Sequence, residues 1–232
     1  MEKQKYAAIV LAAGSGKRMN SQVHKQYLII QDRPVLYYSL KEFEDSAVDE
    51  IVLVVGKGEE EFCRREIVDK YGISKVKAIV EGGKERYHSV FEGLKQTSDA
   101  DYVLIHDGAR PFVNQDIIRR CMQEVQKYQA CVVGMPVKDT IKIADEEGYA
   151  KQTPDRKNVW MIQTPQTFSY ALIYEAYEEM LKTEDAAITD DAMVLERTKD
   201  KKSKLIEGSY RNIKITTPED LLIANVYLQY PE

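Results

Sequence analysis

Cysteine is scarce in this sequence of 232 residues, which contains only Cys63, Cys121 and Cys131. Because three is an odd number and no two of them form a C-x-x-C pair, the sequence favours neither a disulfide framework nor a cysteine zinc site. The three histidines form no H-E-x-x-H motif, and neither Ser15 nor Ser89 lies in G-x-S-x-G, so a zinc peptidase and a serine hydrolase have no support. We expect the cysteines to be reduced packing residues of a cytoplasmic protein.

Long apolar runs and an excess of positive charge are also absent. No apolar stretch approaches the ~20 residues that a membrane span requires. Asp and Glu number 38 against 33 Lys and Arg, and the net charge of −5 argues against a general nucleic-acid or membrane-surface binder. Hydrophobic residues make up 44% of the chain, which excludes the disordered and low-complexity classes. We therefore expect one soluble globular domain over residues 1–232.

Apolar runs of strand length alternate with longer segments of helical period along the chain. This alternation is typical of an α/β fold with a doubly wound, mostly parallel sheet. Asn114 and Thr217 are predicted helix N-caps, and Pro218 begins a last helix that is predicted to end near residue 227. The predicted strands span residues 6–11, 51–55, 78–81, 102–106, 131–136 and 159–163, with shorter strand-like segments at 27–30 and 213–216.

Residues 139–158 break this alternation. They contain short alternating pieces around a Glu147-Gly148 turn, followed by Pro154, and too few apolar residues to form a layer of their own. We interpret this segment as a β-arm that projects from the domain. Because an isolated hairpin is only marginally stable in water, we expect the arm to pack on a second copy of the chain and form a homodimer.

A glycine-rich loop, L-A-A-G-S-G-K-R-M, follows the first predicted strand at residues 11–19. Small residues let backbone N–H groups approach phosphates, and Lys17 and Arg18 add positive charge. A P-loop would need glycine at position 11 and serine or threonine at 18. A dinucleotide fingerprint would need glycine in place of Met19 and a longer connection to the next parallel strand. Taken alone, the loop is equally compatible with a strand-ending turn that carries solvated basic residues.

Two more segments follow predicted strands. Residues 82–90, G-G-K-E-R-Y-H-S-V, open a helix with two glycines and a hydroxyl, although alone they describe a plain strand-to-helix turn. Residues 106–111 place Asp107 and Arg110 where a carboxylate can hold Mg²⁺ or ribose and an arginine can bind phosphate, or where the two can simply pair. Lys214 on its strand would usually be only solvated. Ligand sites of α/β sheets lie beyond the carboxyl ends of strands, so the convergence of these segments favours one phosphate-binding site.

Seven segments then occur in order over nearly the whole chain. They are LAAGSGKRM with HKQY, GGKERYHSVFEGL, HDGARPF, PVKDT, QTPQTF, ITDDA and EGSYRNIKITTPEDL. Together they resemble the 2-C-methyl-D-erythritol 4-phosphate cytidylyltransferase family. The resemblance implies a Rossmann-like nucleotidyltransferase fold and an enzyme that converts CTP and methylerythritol phosphate to CDP-methylerythritol and pyrophosphate. It also implies Mg²⁺ as cofactor and a homodimer whose β-arm reaches the neighbouring site.

The resemblance further implies a role for each residue at a matched position. The nucleotide-binding residues would be Ala12, Ala13, Gly14, Ser15, Gly16, Lys25, Gly83, Ser89, Asp107 and Gly108. The catalytic residues would be Arg18, Lys25, Arg156 and Lys214, the first two as stabilisers of the transition state. The substrate-binding residues would be Asp107, Arg110, Thr140, Arg156, Thr164, Thr189 and Lys214. Asp107 would also lie by the metal, and Thr140 and Arg156 would come from the partner's arm.

The sequence departs from the family pattern at two positions, and three other functions compete with this assignment. Lys84 replaces a frequent acidic residue of the family pattern, and Leu11 replaces a proline found in some members. Ribitol-5-phosphate cytidylyltransferase shares the glycine loop and the reaction but differs around GGKERYHSV and HDGARPF. A nucleotide-binding protein without turnover is disfavoured because Arg18, Lys25 and Lys214 are all present, and the glycine pattern disfavours a Rossmann oxidoreductase. We expect no nucleic-acid and no membrane partner.

Overall fold

The computed structural model describes residues 3–14, 24–182 and 188–230. The strands are β1 (Tyr6–Ala12), β2 (Ile29–Ile30), β3 (Arg33–Pro34), β4 (Glu50–Val55), β5 (Val76–Glu81), β6 (Tyr102–Asp107), β7 (Ala130–Pro136), β8 (Ile143–Ala144), β9 (Ala150–Gln152), β10 (Trp160–Ser169) and β11 (Lys204–Glu207). The α-helices are α1 (Val35–Asp45), α2 (Glu60–Cys63), α3 (Arg86–Leu94), α4 (Gln115–Tyr128), α5 (Tyr170–Leu181), α6 (Asp191–Lys199) and α7 (Pro218–Gln229). A π-helical segment, Arg64–Asp69, extends α2, and 3-10 turns span Lys25–Tyr27 and Arg156–Asn158.

Seven of the described strands form one sheet in the order β11-β7-β10-β6-β1-β4-β5. The strands β6, β1, β4 and β5 are parallel neighbours, and β11 is parallel to β7. In contrast, β10 runs antiparallel to both of its neighbours. The doubly wound, mostly parallel and mixed sheet predicted from the sequence is confirmed. Because β1 lies between β6 and β4, the carboxyl ends of these strands meet at one edge of the sheet.

Helices cover both faces of this sheet because its central strands bury side chains on both. In β1, Ala8 and Val10 pack in one core with α1, α2 and α4. Ala7 and Ile9 pack on the opposite side with α3, α5 and α6. Successive side chains of a strand point to opposite faces, so one short apolar run serves two cores and fixes the position of the strand.

Both predicted N-caps are present. The side chain of Asn114 accepts a hydrogen bond of 2.9 Å from the backbone N–H of Ile117 at the start of α4. Thr217 and Asp220 form a capping box at the start of α7, where Pro218 takes the first helical position. This last helix continues beyond its predicted end near residue 227 and stops at Gln229.

Three segments differ from the prediction. Lys25–Tyr27 forms a 3-10 turn, so only β2 remains of the strand predicted at 27–30. Residues 213–216 form no strand; the buried Ile215 packs with α7, which explains the apolar alternation. The strand predicted at 159–163 is the beginning of the longer β10, and β11 was not predicted at all.

The β-arm is present as predicted. Strands β8 and β9 pair as an antiparallel hairpin, and Gly148 in its turn has φ +88°, a left-handed conformation that favours glycine. Every residue from 138 to 153 is exposed. The arm therefore projects from the body of the chain and contributes nothing to its two cores.

The expectation that the cysteines are packing residues agrees with the structure. Cys63, Cys121 and Cys131 are free, buried thiols. Within the described residues, no helix combines the length and the apolar character needed to cross a membrane.

Candidate active site

A cavity of about 390 Å³ opens at the carboxyl edge of β1 and β6, beside the start of α3. It is lined by Leu11, Ala12, Ala13, Gly14, Lys25, Gln26, Gly83, Lys84, Glu85, Arg86, Ser89, Asp107, Ala109 and Lys214. The structure thus brings together eight of the residues singled out in the sequence, from four separate segments. They are Ala12, Ala13, Gly14, Lys25, Gly83, Ser89, Asp107 and Lys214.

The first wall is the chain that leaves β1. Ala12, Ala13 and Gly14 line the cavity, and the side-chain amide of Gln26 donates a 2.5 Å hydrogen bond to the carbonyl of Ala12. This bond ties the segment that carries Lys25 to the end of the strand. The predicted site residues Ser15, Gly16 and Arg18 lie outside the described residues.

The second wall is the turn between β5 and α3. The N–H of Gly83 donates to the hydroxyl oxygen of Ser89 at 3.1 Å, which holds the turn against the helix. A Cβ atom at Gly82 would come within 2.5 Å of Cβ of Ala13 and 2.6 Å of the Ser89 oxygen. Glycine is therefore required where the two loops approach each other, and exposed backbone of both loops borders the same space.

Asp107 is the charged centre of the site. Its carboxylate lies 3.3 Å from Nε of Arg86 and 2.7 Å from Nζ of Lys214, and Nε of Arg110 is 3.9 Å away. Burial alone would raise the pKa of Asp107, but these three cations hold it well below its usual value. The Asp107 carboxylate therefore lies among three cationic side chains at the end of β6.

Arg86 also makes a contact that the sequence analysis missed. Its two terminal nitrogens donate to the two carboxylate oxygens of Asp191 at 2.8 and 2.9 Å, a bidentate pair. Asp191 is fully buried and also accepts a 2.6 Å hydrogen bond from the hydroxyl of Tyr177. Burial opposes the charged form of Arg86, but Asp191 and Asp107 raise its pKa well above the usual value. The segment ITDDA contained Asp191, yet nothing local in it indicated a partner 105 residues away.

Arg110 lies beside this cluster, and its side chain is largely buried. It donates from Nη1 to the carbonyl of Asn212 at 2.8 Å, while its Nε is buried without a hydrogen-bond partner. Burial lowers the pKa of Arg110, and Asp107 opposes that shift. Gly108 is part of the turn after β6, and a Cβ atom at this position would come within 2.7 Å of Cδ1 of Leu36. Thr164 is also buried, and its oxygen accepts a hydrogen bond of 3.1 Å from the N–H of Asp107.

Five predicted substrate-binding residues are not among the cavity-lining residues of the described chain: Arg110, Thr140, Arg156, Thr164 and Thr189. Thr140 and Arg156 are exposed at the two ends of the β-arm, and Arg156 donates to the carbonyl of Lys138 at 2.8 Å. Thr189 is exposed just before Asp190, the N-cap of α6. A single copy of the chain therefore leaves these side chains outside the cavity.

The acidic side chains of the site give a limited set of metal ligands. Within residues 3–14, 24–182 and 188–230, no group of three or more His, Cys, Asp or Glu side chains could hold a metal ion. At the cavity itself, Asp107 and Glu85 supply the carboxylates. Mg²⁺ commonly binds one or two carboxylates together with substrate phosphates and water, so this donor set fits an ion held jointly with a phosphate chain.

Comparisons with known proteins agree with this geometry. The family model for 2-C-methyl-D-erythritol 4-phosphate cytidylyltransferase matches residues 6–230. Proteins of that name from Lachnospira eligens (54% identical over 224 residues, 96% of this chain and 98% of the relative) and Lachnoclostridium phytofermentans (50% over 226 residues, 97% of both) are similar along almost their whole length. The crystal structure of 4-diphosphocytidyl-2C-methyl-D-erythritol synthase from Anaerococcus prevotii has a TM-score of 0.85 at 38% identity, with 97% of this chain and 96% of that chain covered. The chain therefore belongs to the 2-C-methyl-D-erythritol 4-phosphate cytidylyltransferase family.

Proposed function

We propose that the cavity binds CTP and methylerythritol phosphate side by side and that its cations align their phosphate groups. The chain is a nucleotidyltransferase that converts these two substrates to CDP-methylerythritol and pyrophosphate. One observation carries the proposal for the site. Among the described residues of this chain of net charge −5, four cationic side chains, two carboxylates and the backbone of two glycine-rich turns border one cavity.

The chemistry requires little covalent help from the protein. A phosphate oxygen of methylerythritol phosphate attacks the α-phosphorus of CTP and forms a new P–O bond. The bond from the α-phosphorus to the oxygen that bridges to the β-phosphorus breaks, and pyrophosphate leaves with that electron pair. Because two polyanions must approach, the main tasks are alignment and charge neutralisation. At an effective dielectric constant near 20, a cation about 4 Å from a phosphate charge gains about 4 kcal/mol before desolvation is subtracted.

We assign the nucleotide to the side of the cavity formed by β1, β5 and α3. The loop from Ala12 to Gly16 would hold the phosphates through backbone N–H groups, and Gly83 and Ser89 would contact the cytosine. The Gly83 to Ser89 hydrogen bond supports this assignment, because it keeps a backbone edge and a hydroxyl together at one place. Gly108 would support the ribose side through the turn that carries Asp107.

We assign the second substrate to the side formed by Asp107, Arg110 and Lys214. The ammonium group of Lys214 lines the cavity and supplies donors for a phosphate group, and the guanidinium group of Arg110, 3.9 Å from Asp107, adds positive charge next to it. Arg18 and Lys25 would stabilise the transition state at the α-phosphate. Thr164 and Thr189 are the remaining substrate-binding residues of this chain that the family pattern implies: Thr164 lies next to Asp107, and Thr189 lies just before α6.

We propose Mg²⁺ as the cofactor, with Asp107 as the side chain that would hold it together with substrate phosphates. When bound, the ion supplies charge neutralisation of the phosphate chain. Asp107 remains ionised over the whole physiological range, because its neighbouring cations keep its pKa low. At physiological pH, Asp107 could therefore bind a cation without first losing a proton.

We propose that two copies of the chain form a homodimer through the β-arm and that the partner supplies Thr140 and Arg156 to the site. The arm exposes Ile141, Ile143 and Tyr149, of which Tyr149 is 70% exposed. Apolar side chains on an isolated hairpin favour a covering partner. The free, buried thiols support a reducing compartment, so we place the enzyme in the cytoplasm.

The choice of second substrate is tested by pyrophosphate release. Purified enzyme with CTP and Mg²⁺ is given methylerythritol phosphate or ribitol 5-phosphate in parallel reactions. We expect release with methylerythritol phosphate and a much lower kcat/KM with ribitol 5-phosphate. A preference for ribitol 5-phosphate, or no release with either compound, would refute the substrate assignment.

The roles of the cations are tested by alanine substitution. Arg18→Ala and Lys25→Ala should lower kcat by about 10³-fold, because they remove charge at the reacting phosphates. Lys214→Ala should raise KM for methylerythritol phosphate and lower kcat. Lys77→Ala is the matched control, since Lys77 is an exposed lysine of β5 outside the cavity, and it should retain normal kinetics. Near-normal turnover of Arg18→Ala, Lys25→Ala and Lys214→Ala would contradict the assignment.

The contribution of the arm is tested by mixing two inactive variants. If Arg156 acts in the neighbouring site, a dimer of Arg156→Ala with Lys214→Ala contains one site with both side chains intact. Random mixing should restore about a quarter of wild-type activity, because half of the dimers are mixed and each has one intact site of two. No restoration after subunit exchange would contradict the shared site.

Deletion of residues 141–153 should also lower the sedimentation coefficient, and an unchanged value would count against dimerisation through the arm.

A further inference from the structure

His106 is a buried histidine for which the proposed reaction has no direct use. It is the residue before Asp107 in β6, and its side chain points to the opposite face of the strand, where it has no exposed surface. The ring packs edge-on against Phe43 of α1 at 5.3 Å between ring centroids. Burial lowers the pKa of His106 to about 4, so the ring is neutral at physiological pH.

Both ring nitrogens of His106 have hydrogen-bond partners. Nε2 lies 3.2 Å from the backbone carbonyl of Arg110, and Nδ1 lies 3.0 Å from the hydroxyl oxygen of Thr164. A carbonyl only accepts, so Nε2 must carry the proton and Nδ1 must be the acceptor. The hydroxyl of Thr164 then donates to Nδ1. Its oxygen also accepts from the backbone N–H of Asp107 at 3.1 Å.

These three bonds connect the two ends of one turn. The N–H of Asp107 donates to the hydroxyl oxygen of Thr164, and this hydroxyl donates to His106. His106 in turn donates to the carbonyl of Arg110. The hydroxyl of Ser39 lies 3.0 Å from the same Arg110 carbonyl, and Ile215 donates to the carbonyl of Ala109 at 2.8 Å. The turn that carries the charged centre is therefore fixed from β10, α1 and the segment of Lys214 at once.

Thr164 takes this role because β10 is irregular at this point. The last residue pair of β10 with β6 is Gln166 with Ile105, and the register of β10 with β7 shifts between Ile162 and Gln166. The regular pairing of β10 with β6 therefore does not extend to Thr164 and Asp107. The Thr164 oxygen accepts the N–H of Asp107 there instead. Only 4% of Thr164 is exposed, and its single hydroxyl proton is already donated to His106.

We propose that His106 and Thr164 are positioning residues, which act on the reaction through the turn from Asp107 to Arg110 and not by contact with substrate. The inference rests on the proposed function for the identity of the reaction. The inference also gives Thr164 a different role from the one that the family pattern implies. Its hydroxyl bonds to Asp107 and His106, and the substrate contacts other side chains carried by the turn.

The hydrogen bonds that link Asp107, Thr164, His106 and the Arg110 carbonyl form a relay. The test compares variants that break this relay with variants that keep it. Thr164→Val removes the hydroxyl at nearly constant volume, and His106→Leu removes both ring nitrogens. Each should lower kcat/KM for methylerythritol phosphate by about 10- to 100-fold, because a buried group loses its partner and the turn shifts. Thr164→Ser keeps the hydroxyl and should stay within about threefold of wild type. Thr97→Val is the matched control, since it deletes a buried threonine hydroxyl at the far end of α3, and it should keep normal kcat/KM.

The double variant separates positioning from direct contact. If the two residues act in one relay, Thr164→Val with His106→Leu should fall no more than about threefold below the worse single variant. Multiplied losses would indicate that Thr164 touches the substrate independently, and normal kinetics of His106→Leu would refute the relay. All assays are run well below the melting temperature of each variant, so that a loss of stability alone does not lower the measured rate.

The tautomer provides a test that needs no activity. Nitrogen chemical shifts of the histidine rings in the unliganded protein report which ring nitrogen carries the proton. We expect the His106 ring to be neutral with the proton on Nε2 in wild type and in Thr164→Ser. In Thr164→Val the proton should stay on Nε2, because the Arg110 carbonyl still accepts from it, whereas the Nδ1 signal should move because that nitrogen loses its donor. A proton on Nδ1 in wild type would overturn the relay even if catalysis is as proposed. Failure of the proposed reaction alone would leave the wild-type shifts as expected here.

Discussion

Replacing Asp191 with asparagine removes the charge that compensates Arg86 in the wall of the cavity. Wild-type Asp191 is fully buried, and each of its carboxylate oxygens accepts a hydrogen bond from the guanidinium group. In Asp191→Asn, one of these oxygens becomes an NH₂ group that faces another donor. The hydroxyl of Tyr177 also loses its charged acceptor, so two buried groups are affected by a single substitution.

The expected cost follows from the surroundings of Arg86. Removal of one partner from a buried ion pair typically costs about 3–5 kcal/mol. The side chain of Arg86 is still 29% exposed and lies 3.3 Å from Asp107, so part of its charge remains compensated. We therefore expect about 3 kcal/mol, the lower end of that range. For a chain of this size, the loss corresponds to a fall in melting temperature of about 6–12 °C.

Urea and thermal unfolding measure this loss directly. The matched control is Asp45→Asn, which breaks the exposed pair of Asp45 with Lys41 at 2.6 Å in α1. An exposed pair four residues apart in a helix is worth only about 0.5 kcal/mol or less, so the control should unfold almost as wild type does. If Asp191→Asn loses less than about 1 kcal/mol, Arg86 does not depend on its bidentate partner and the reasoning fails.

Three further predictions concern His106, the cysteine thiols and Gly82. Because burial lowers the pKa of His106 from its usual 6.5 to about 4, the unfolded chain binds more protons between these values, and stability should fall as pH drops through this window. Its share is about 2 kcal/mol at pH 5, and urea unfolding of His106→Gln should lack it; an equal loss in the variant would contradict this. Burial raises the pKa of the Cys63 thiol to about 11 and of Cys121 to about 12, so Ellman's reagent at pH 8 should label no buried thiol until urea is added, and labelling of the native protein would disagree. Gly82→Ala should raise KM for CTP about tenfold or more, since the new Cβ forces the loop of Ala13 aside; a CTP titration with unchanged KM would disagree.

The sequence predicts the architecture well where the signal is local. Apolar runs of β1 and β4, the N-caps Asn114 and Thr217, and the turn at Gly148 each depend on a few neighbouring residues. Such signals act through backbone preference and side-chain period, which do not depend on the rest of the fold. The predicted parallel sheet and its projecting hairpin therefore agree with the structure.

The elements that were missed depend on distant partners. The edge strand β11 has only Ile206 buried among its four residues, so its alternation is too weak to be recognised. The direction of β10 follows from its pairing with β6 and β7, and no residue within the strand encodes it. Likewise, the bond from Asp191 to Arg86 joins α6 to α3. Long-range pairs of this kind need the folded topology before they can be inferred.

The charge of the cavity shows how far composition can be used. A net charge of −5 excludes a surface that binds polyanions everywhere, yet Lys25, Lys84, Arg86 and Lys214 line one cavity. Like charges at close range repel, and Asp107 offsets that repulsion by holding two of these cations within 3.3 Å. If phosphates bind here as proposed, the cations need little rearrangement, and a preorganised site stabilises developing charge better than a mobile one. A buried carboxylate among cations, such as Asp107, would thus favour anion binding in the proposed site, because it fixes the positions of the groups that would meet the anion.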